Sequence, residues 1–299
     1  YSFVAASPYQ MCVGLLAKVK CASPHFEHKP VATYRELILH SGLERFDAQV
    51  LLLHVVQKNR AWLIAHDTDE ADASQVATFA ALAERRRLGE PVAYLLGSRE
   101  FYGREFAVTP AVLIPRPDTE LLVELALARA PQAGRVIDLG TGSGCIPITL
   151  KCERADLIVS ALDISSEALA VAQRNAAALH ADVRFMQSNW FAAVQNEQFE
   201  MIVSNPPYID SQDVHLTQGD LRFEPSGALT DGGNGLQHLA TIIQQAPQHL
   251  ASGGWLLLEH GWDQGDACRD LLTQAGFKAV QTWRDLGDND RVSGGVWLG

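Results

Sequence analysis

Residues 138–144 read Asp-Leu-Gly-Thr-Gly-Ser-Gly and join the strand-like run 135–139 to a helical run over 145–154. Glycines in such a turn allow the backbone to come close to a ligand and to present its N–H groups. Because Cys145 follows the third glycine, the pattern is G-x-G-x-G, and the G-x-G-x-x-G of nicotinamide dehydrogenases is absent. The stretch predicts a strand–loop–helix unit, although the glycines alone also fit a tight turn that binds nothing.

Strands and helices alternate from this unit to residue 299. Helical stretches at 166–179, 235–250 and 264–275 separate most of the strand-like runs, and the last two strands lie close together. We therefore predict a Rossmann-like α/β fold with a doubly wound, mostly parallel seven-stranded sheet and an antiparallel edge strand. The strand-like runs are 135–139, 157–162, 183–187, 201–204, 255–259, 279–284 and 291–298.

Before the glycine loop, the spacing at which apolar residues recur is different. Apolar residues recur at threes and fours over 33–95, which predicts a small helical bundle, and the period changes to two over 99–117, which predicts a β-hairpin. Arg85, Arg86 and Arg87 precede a glycine and a proline, as at a solvated helix end. The predicted units are a poorly ordered extension or artefact (1–30), a helical domain (31–97), a hairpin linker (98–117) and the α/β domain (118–299).

Composition and charge exclude several classes of protein. The formal charge is −11, and residues 111–299 carry 12 basic and 23 acidic residues, which is unfavourable for gripping duplex nucleic acid. Five cysteines and ten histidines show no metal-ligand spacing, so we predict no metal. No apolar run is long enough to cross a membrane, and we expect a cytoplasmic protein that is a monomer and binds no membrane.

Asp163 favours a bound ligand over an empty turn. It follows the second strand-like run, nineteen residues after Gly144, close to the spacing of about 20 for an acidic residue that accepts hydrogen bonds from a ribose. The carboxyl ends of adjacent parallel strands form the binding crevice of an open α/β sheet. The sequence therefore predicts a nucleoside-bearing cofactor at this crevice.

The fourth strand-like run ends in Asn205-Pro206-Pro207-Tyr208. The two prolines stiffen the backbone, so the Asn205 side chain and the Pro206 carbonyl are held in fixed directions. An amide oxygen and a carbonyl are two acceptors that suit a planar –NH₂ group. Tyr208 adds an aromatic face, which fits a flat group or a cationic methyl donor. A turn with a packing tyrosine is the structural alternative.

These motifs together resemble a known family. D-x-G-x-G-x-G followed by NPPY looks like the class I S-adenosyl-L-methionine-dependent methyltransferases. Residues 113–120, Leu-Ile-Pro-Arg-Pro-Asp-Thr-Glu, narrow the resemblance to the HemK/PrmC family of protein-(glutamine-N5) methyltransferases, as do 87–91, 94–97, 100–101, 219–225 and 288–292. The resemblance covers residues 31–299 and implies methylation of the glutamine in the Gly-Gly-Gln motif of peptide chain release factors.

The resemblance also implies roles for single residues. Asp163 would bind the cofactor ribose, Trp190 would lie beside the adenine, and Asn205 would contact both cofactor and substrate. Asn189 stands where the family usually has Asp, and Ser143 where it more often has Thr. The remaining positions are Gly140, Thr141, Gly142, Ser143 and Gly144 at the methionine part of the cofactor, Asn205, Pro206 and Tyr208 in catalysis, and Asn205, Pro206, Pro207 and Tyr208 at the substrate glutamine.

Two other functions stay open at this point. An adenine-N6 DNA or RNA methyltransferase presents the same acceptors to a flipped base, although the acidic charge of 111–299 opposes phosphate binding. A methyltransferase fold retained for binding alone is the non-catalytic alternative. His260, which follows the strand-like run 255–259, is interpreted as a structural histidine, and Glu259 at the end of that run is as easily a buried hydrogen-bond partner as a part of the site.

Overall fold

The structure is a computed structural model that describes residues 32–299. The extension predicted for 1–30 lies outside the described residues. Within the described range no helix is long and apolar enough to cross a membrane.

Five helices form the N-terminal bundle that the sequence predicts. Thr33 and Asp72 are N-cap residues that each form a capping box. Their side chains accept N–H groups of the first helical turn, and the side chain three positions further on accepts the backbone N–H of the N-cap residue. Leu51, Leu52 and Phe79 lie in the buried centre of the bundle. The helices are α1 Tyr34–Leu39, α2 Arg45–Val56, α3 Arg60–His66, α4 Ala73–Arg87 and α5 Val92–Leu96.

A two-stranded hairpin, β1 Ser98–Phe101 and β2 Arg104–Ala107, connects the bundle to the α/β region. Phe101 and Phe106 are fully buried against the core of that region. Asn175 fixes the hairpin in place, because its side-chain amide donates to the Ala107 carbonyl at 3.0 Å and accepts from the Ala107 N–H at 2.8 Å. The same amide group donates to the Ser143 carbonyl at 2.9 Å, so Asn175 ties the hairpin to the glycine loop.

The second sheet has seven strands in the order β5-β4-β3-β6-β7-β9-β8. The pairs β5/β4, β4/β3, β3/β6 and β6/β7 are parallel, whereas β9 is antiparallel to both β7 and β8. The predicted fold class is thereby confirmed. The strands are β3 Arg135–Leu139, β4 Ile158–Asp163, β5 Val183–Gln187, β6 Phe199–Ser204, β7 Leu250–Glu259, β8 Lys278–Arg284 and β9 Asp290–Trp297.

The position of the antiparallel strand differs from the prediction of an antiparallel edge strand. It is β9, which lies inside the sheet between β7 and β8, while the edge strand β8 runs parallel to β7. The burial of the two strands explains the order. Residues 292–295 of β9 are buried and include two glycines, and Gly294 lets β7 approach so closely that a Cβ there would lie 2.4 Å from the Leu256 carbonyl oxygen. The more polar β8, with Lys278 and Arg284, suits the edge.

Helices cover both faces of this sheet. Helices α6, α7 and α8 pack on one face with the hairpin, and α9 and α10 pack on the other. Their bounds are α6 Glu120–Arg129, α7 Cys145–Glu153, α8 Ser166–Ala178, α9 Gln237–Gln245 and α10 Gly265–Gln274. Short 3₁₀ turns occur at Pro117–Thr119, Trp190–Val194, Val214–Thr217, Leu221–Phe223, Ser226–Ala228 and Ala246–Gln248. The loops after β3, β4 and β6 therefore meet at the carboxyl edge of the parallel strands.

Candidate active site

The glycine loop 140–144 follows β3 and is held by the neighbouring strand. The N–H groups of Gly140 and Thr141 donate to the Leu162 carbonyl of β4 at 2.8 and 2.9 Å. Gly142 has a φ of 55° and open space where a side chain would stand. Gly144 lets α7 pack tightly, because its φ is 81° and a Cβ there would lie 2.7 Å from Ile148 Cδ1.

Asp163 ends β4 and shapes the same loop. Its Oδ2 accepts the N–H of Gly142 at 2.8 Å, and its Oδ1 accepts the N–H of Ser165 at 2.9 Å. Burial raises the pKa of the carboxyl above its ordinary value, while these backbone N–H groups oppose the rise. Asp163 thus connects the loop after β3 to the loop after β4 and places a carboxylate at the crevice between them.

A cavity of about 470 Å³ opens along this edge of the sheet, within the usual size of a small-molecule site. Its wall also includes residues from segment 110–116, which follows the hairpin, and from segment 225–230. The structure brings most of the predicted site residues together there, while Gly144, Pro206 and Tyr208 are not among the lining residues. The predicted residues on its wall are Gly140, Thr141, Gly142, Ser143, Asp163, Trp190, Asn205 and Pro207.

Trp190 stands beside the glycine loop in a strained backbone conformation. Its φ is 46°, which is rare for a large side chain. Ser188 holds this turn, because its hydroxyl donates to the Trp190 carbonyl at 2.7 Å and accepts from the Ala193 N–H at 3.0 Å. Ser188 and Asn189 line the cavity next to Trp190. The strained backbone therefore lies where the Trp190 ring and the Asn189 amide line the cavity.

Asn205 is half-buried, and its side chain is oriented by a residue far away in the sequence. Its Nδ2 donates to the hydroxyl of Thr119 at 3.2 Å. Between residues 32 and 299 no group donates to Asn205 Oδ1. An acceptor oxygen is therefore left free at the cavity wall, as required for binding an –NH₂ group.

Tyr208 turns its hydroxyl into the protein. The hydroxyl donates to Glu259 Oε1 at 3.2 Å, and the Tyr208 carbonyl accepts from Gln264 Nε2 at 3.0 Å. Burial raises the pKa of the Tyr208 hydroxyl far above its usual range. His260 is fully buried, with Nε2 2.7 Å from Ser293 Oγ, and is the structural residue that the sequence predicts.

Three functional features are not predicted by the sequence. Asp138 is fully buried, neither of its carboxylate oxygens has a hydrogen-bond partner among the described residues, and burial raises its pKa to about 7. Thr119 is the N-cap residue of α6, yet its side chain makes no cap bond and contacts Asn205 instead. The acidic first position of 138–144 signals Asp138, but no local pattern signals Thr119.

The third feature is the part of the cavity wall formed by segments 110–116 and 225–230, which we call the roof of the cavity. Glu224 has a fully buried side chain that accepts the Ile114 N–H at 2.9 Å and also accepts from the Arg116 guanidinium. Burial raises the pKa of Glu224, and the charge of Arg116 opposes that rise. Glu224 directly precedes segment 225–230, and both of its partners lie in segment 110–116. Its bonds therefore connect the two segments of the roof.

Comparisons with known proteins agree with this arrangement. Residues 34–97 match the family model "PrmC N-terminal domain", and residues 117–236 match "Methyltransferase small domain". The chain is 52% identical to the release factor glutamine methyltransferase of Bordetella pertussis over 87% of this chain and 98% of that protein. It is 50% identical to the protein of the same name from Escherichia coli K12, over 83% of this chain and 91% of that one.

The fold also matches solved structures of low sequence identity. A methyltransferase from Pyrococcus furiosus aligns with a TM-score of 0.52 and 18% identity, covering 72% of this chain and 97% of that one. At this identity the likeness shows the fold alone.

Proposed function

The chain belongs to the release factor glutamine methyltransferase family, and we propose from this membership that it methylates the glutamine of the Gly-Gly-Gln motif in peptide chain release factors. The methyl group would come from S-adenosyl-L-methionine and go to the side-chain amide nitrogen, N5. The adenine-N6 alternative is not favoured, because the curated relatives act on release factor glutamine by name. The observation that carries the proposal is the identity of 50–52% to release factor glutamine methyltransferases over most of the chain, and the Asn205 Oδ1 at the cavity wall supplies an acceptor that an amide –NH₂ group requires.

The residues at the cavity fit S-adenosyl-L-methionine. Asp163 offers a carboxylate at the end of β4, where ribose hydroxyls of a nucleoside are recognised in open α/β sheets. Trp190 and Asn189 line the wall beside it and suit an adenine ring with its amino group. Thr141 lines the cavity, and neither its hydroxyl nor the nearby buried Asp138 carboxyl has a hydrogen-bond partner among the described residues. When bound, the cofactor supplies an electrophilic methyl group on a sulfonium.

Binding and orientation by Asn205 would make up most of the catalysis. An amide nitrogen is a weak nucleophile, because its lone pair is delocalised into the carbonyl. Asn205 Oδ1 and the Pro206 carbonyl would each accept one N–H of the glutamine amide, which fixes the direction of its lone pair. The same two acceptors stabilise the positive charge that develops on the nitrogen during transfer. The two prolines keep both acceptors in place without the entropic cost of ordering a flexible loop.

The helical region 34–97 would help to hold the protein substrate. Arg86 of α4 bonds to Asp220 at 2.9 Å, and Arg222 donates to the Leu88 carbonyl at 2.7 Å. Residues 220 and 222 belong to the long loop that follows Asn205–Tyr208 and whose later part lines the cavity. These contacts support a substrate surface formed jointly by the bundle and this loop.

The test is transfer of a labelled methyl group to a purified release factor. The matched control is the same release factor with the glutamine of its Gly-Gly-Gln motif changed to alanine. We expect label in the first protein and none in the second. Label in the alanine protein, or in neither protein while an adenine-containing nucleic acid is labelled, would refute the proposal.

A further inference from the structure

We propose, on the basis of the glutamine methylation proposed above, that Thr119 and Glu259 are positioning residues that keep the oxygen of Asn205, and not its nitrogen, turned toward the substrate. Thr119 lies in the 3₁₀ turn before α6, and Glu259 is the last residue of β7. Both are almost completely buried, with exposed fractions of 2% and 1%. Thr119 accepts a hydrogen bond from Asn205, and Glu259 accepts one from Tyr208 of the same Asn205–Tyr208 motif.

The first step is the bond between Asn205 and Thr119. Because the Asn205 nitrogen donates to the Thr119 oxygen, the single hydrogen of the Thr119 hydroxyl is free to go elsewhere. An amide carries its donor and its acceptor on opposite sides, so this bond decides which one faces the cavity. With Nδ2 held by Thr119, Oδ1 is the atom left for the substrate.

The second step is the acceptor for the hydrogen of Thr119. Glu259 Oε1 already accepts from Tyr208, whereas Oε2 is buried and has no hydrogen-bond partner among residues 32–299. The Thr119 hydroxyl lies near enough to this carboxylate to favour its ionised form and so to oppose the rise of its pKa. When the free hydrogen of Thr119 turns to this buried Oε2, the hydrogen bonds run in one direction, from Asn205 to Thr119 to Glu259, and this direction requires Glu259 to be an acceptor.

Protonation of Glu259 would reverse the direction of these hydrogen bonds. The carboxyl group would then donate to Thr119, and Thr119 would donate to the amide of the asparagine. Asn205 would have to rotate so that its oxygen faces Thr119 and its nitrogen faces the substrate. Two –NH₂ groups would then meet in the cavity without an acceptor between them, and the glutamine would lose one of the bonds that orient it.

The charges around Glu259 come from several elements. Arg291 of β9 stabilises its ionised form, and Tyr208, after β6, donates to it, whereas Asp118, before α6, repels its charge. Cys145 of α7 is near enough that Glu259 raises the pKa of its thiol. Burial outweighs the favourable partners and raises the pKa of Glu259 to about 7. The polarity of the chain is therefore expected to change near neutral pH, with the active arrangement present above about pH 7 and lost as the pH falls.

The test compares Thr119→Val, Thr119→Ser and Glu259→Gln with the wild type, using release factor as substrate. Valine matches threonine in shape but has no hydroxyl, serine keeps the hydroxyl, and glutamine places a donor where Thr119 needs an acceptor. We expect kcat to fall by about 10²-fold in Thr119→Val and Glu259→Gln, the scale of a misplaced substrate. Thr119→Ser should retain nearly wild-type kcat, and the double variant Thr119→Val/Glu259→Gln should be no slower than the single ones, because both act through Asn205.

Two further measurements separate positioning from structure. Calorimetry should give all variants the wild-type affinity for S-adenosylhomocysteine, which also reports that they are folded. The ¹⁵N side-chain amide signal of Asn205 should shift between pH 6 and pH 8 in the wild type and stay fixed in Glu259→Gln. Wild-type kcat in Thr119→Val, equal loss in the serine and valine variants, or an Asn205 signal that ignores pH would each overturn the inference. A wild-type enzyme that transfers no methyl group to release factor would instead refute the proposed function.

Discussion

Arg116 and Glu224 form an ion pair between segments more than a hundred residues apart, and Arg116 lines the cavity. The Glu224 side chain is fully buried, while one third of the Arg116 side chain is exposed. A buried carboxylate that lost its partner would be costly, and the backbone N–H of Ile114 supplies a second bond. The roof of the site is thus held by one carboxylate that serves two partners.

Glu224→Gln should loosen this roof. The amide oxygen can still accept from Ile114, but the charge that holds Arg116 is lost. Since Arg116 is partly exposed, we expect the free energy of unfolding to fall by about 1–2 kcal/mol, less than for a fully buried pair. Denaturant unfolding measures this, and calorimetry should show weaker binding of S-adenosylhomocysteine. Asp288→Asn, which removes the exposed partner of Arg284, is the control and should change neither quantity; equal effects of the two variants would contradict the role of the roof.

Asp163→Asn should weaken cofactor binding. The carboxylate accepts from Gly142 through one oxygen and from Ser165 through the other, and asparagine has only one acceptor oxygen. Losing a charged acceptor corresponds to about 1.5–3 kcal/mol, so we expect Kd to rise by about 10- to 100-fold. Glu167→Gln removes a neighbouring carboxylate that also lines the cavity, and it should leave Kd within about threefold, as for an exposed charge. If both variants bind equally well, Asp163 does not hold the ribose.

Asn205→Ala should separate catalysis from cofactor binding. The substitution removes the free acceptor Oδ1 but leaves the glycine loop and Asp163 untouched. We expect kcat for release factor to fall by about 10²–10³-fold, as for other single groups that stabilise developing charge. Calorimetric affinity for S-adenosylhomocysteine should remain within about threefold of the wild type, since only one of several contacts is lost. Turnover at the wild-type rate would show that Asn205 does not orient the amide.

The buried carboxyl of Asp138 should make stability depend on pH. Its pKa rises from 3.8 to about 7 on folding, so between these values the folded protein holds a proton that the unfolded chain has released. Stability must then fall as the pH rises through this window. From pH 5 to pH 8 the loss due to Asp138 is at most about 3 kcal/mol.

This slope can be measured by denaturant unfolding without cofactor. Asp138→Asn should show a smaller loss of stability between pH 5 and pH 8 than the wild type, while Glu259 continues to contribute in the same direction. Asp182→Asn, which removes an exposed carboxylate, should keep the wild-type slope. An unchanged slope in Asp138→Asn would mean that this carboxyl is already ionised in the folded protein.

The predictability of the fold from sequence depended on how local each feature is. Strands β3 and β5 have the predicted bounds, because apolar runs closed by turn residues specify them without reference to the rest of the chain. Strand β7 begins at Leu250 and not at 255, since Gly253 and Gly254 read as a turn but continue the strand through an irregular register. The interior place of β9 depends on which strand buries its side chains, and a hairpin pattern does not contain that information.

The candidate site divides in the same way. Short motifs predicted the glycine loop and Asn205, and the spacing from Gly144 predicted Asp163; residues 140–143, Asp163 and Asn205 all line one cavity in the structure. Trp190 was predicted from the family resemblance, but its positive φ, in a turn that also contains the Ser188 hydrogen bonds, was not. The bond between Thr119 and Asn205 spans 86 positions and exists only because α6 packs against β6. Such contacts follow from tertiary packing and have no periodic or compositional signature.

Asp220→Asn should weaken binding of the release factor and leave the rate of methyl transfer unchanged. Arg86 is shared between Asp47 of the bundle and Asp220 of the loop, so removing the Asp220 charge loosens the loop while the bundle keeps its internal pair. Because 43% of the Asp220 side chain is exposed, we expect a loss of at most about 1 kcal/mol, or up to about fivefold in KM for release factor. Steady-state kinetics should show unchanged kcat, and calorimetry an unchanged Kd for S-adenosylhomocysteine. Asp213→Asn lies in the same loop, and among the described residues the Asp213 side chain pairs only with His215; this variant is the matched control and should leave KM at the wild-type value. A fall in kcat for Asp220→Asn, or equal KM in both variants, would show that the Arg86 contact does not set the position of this loop for the release factor.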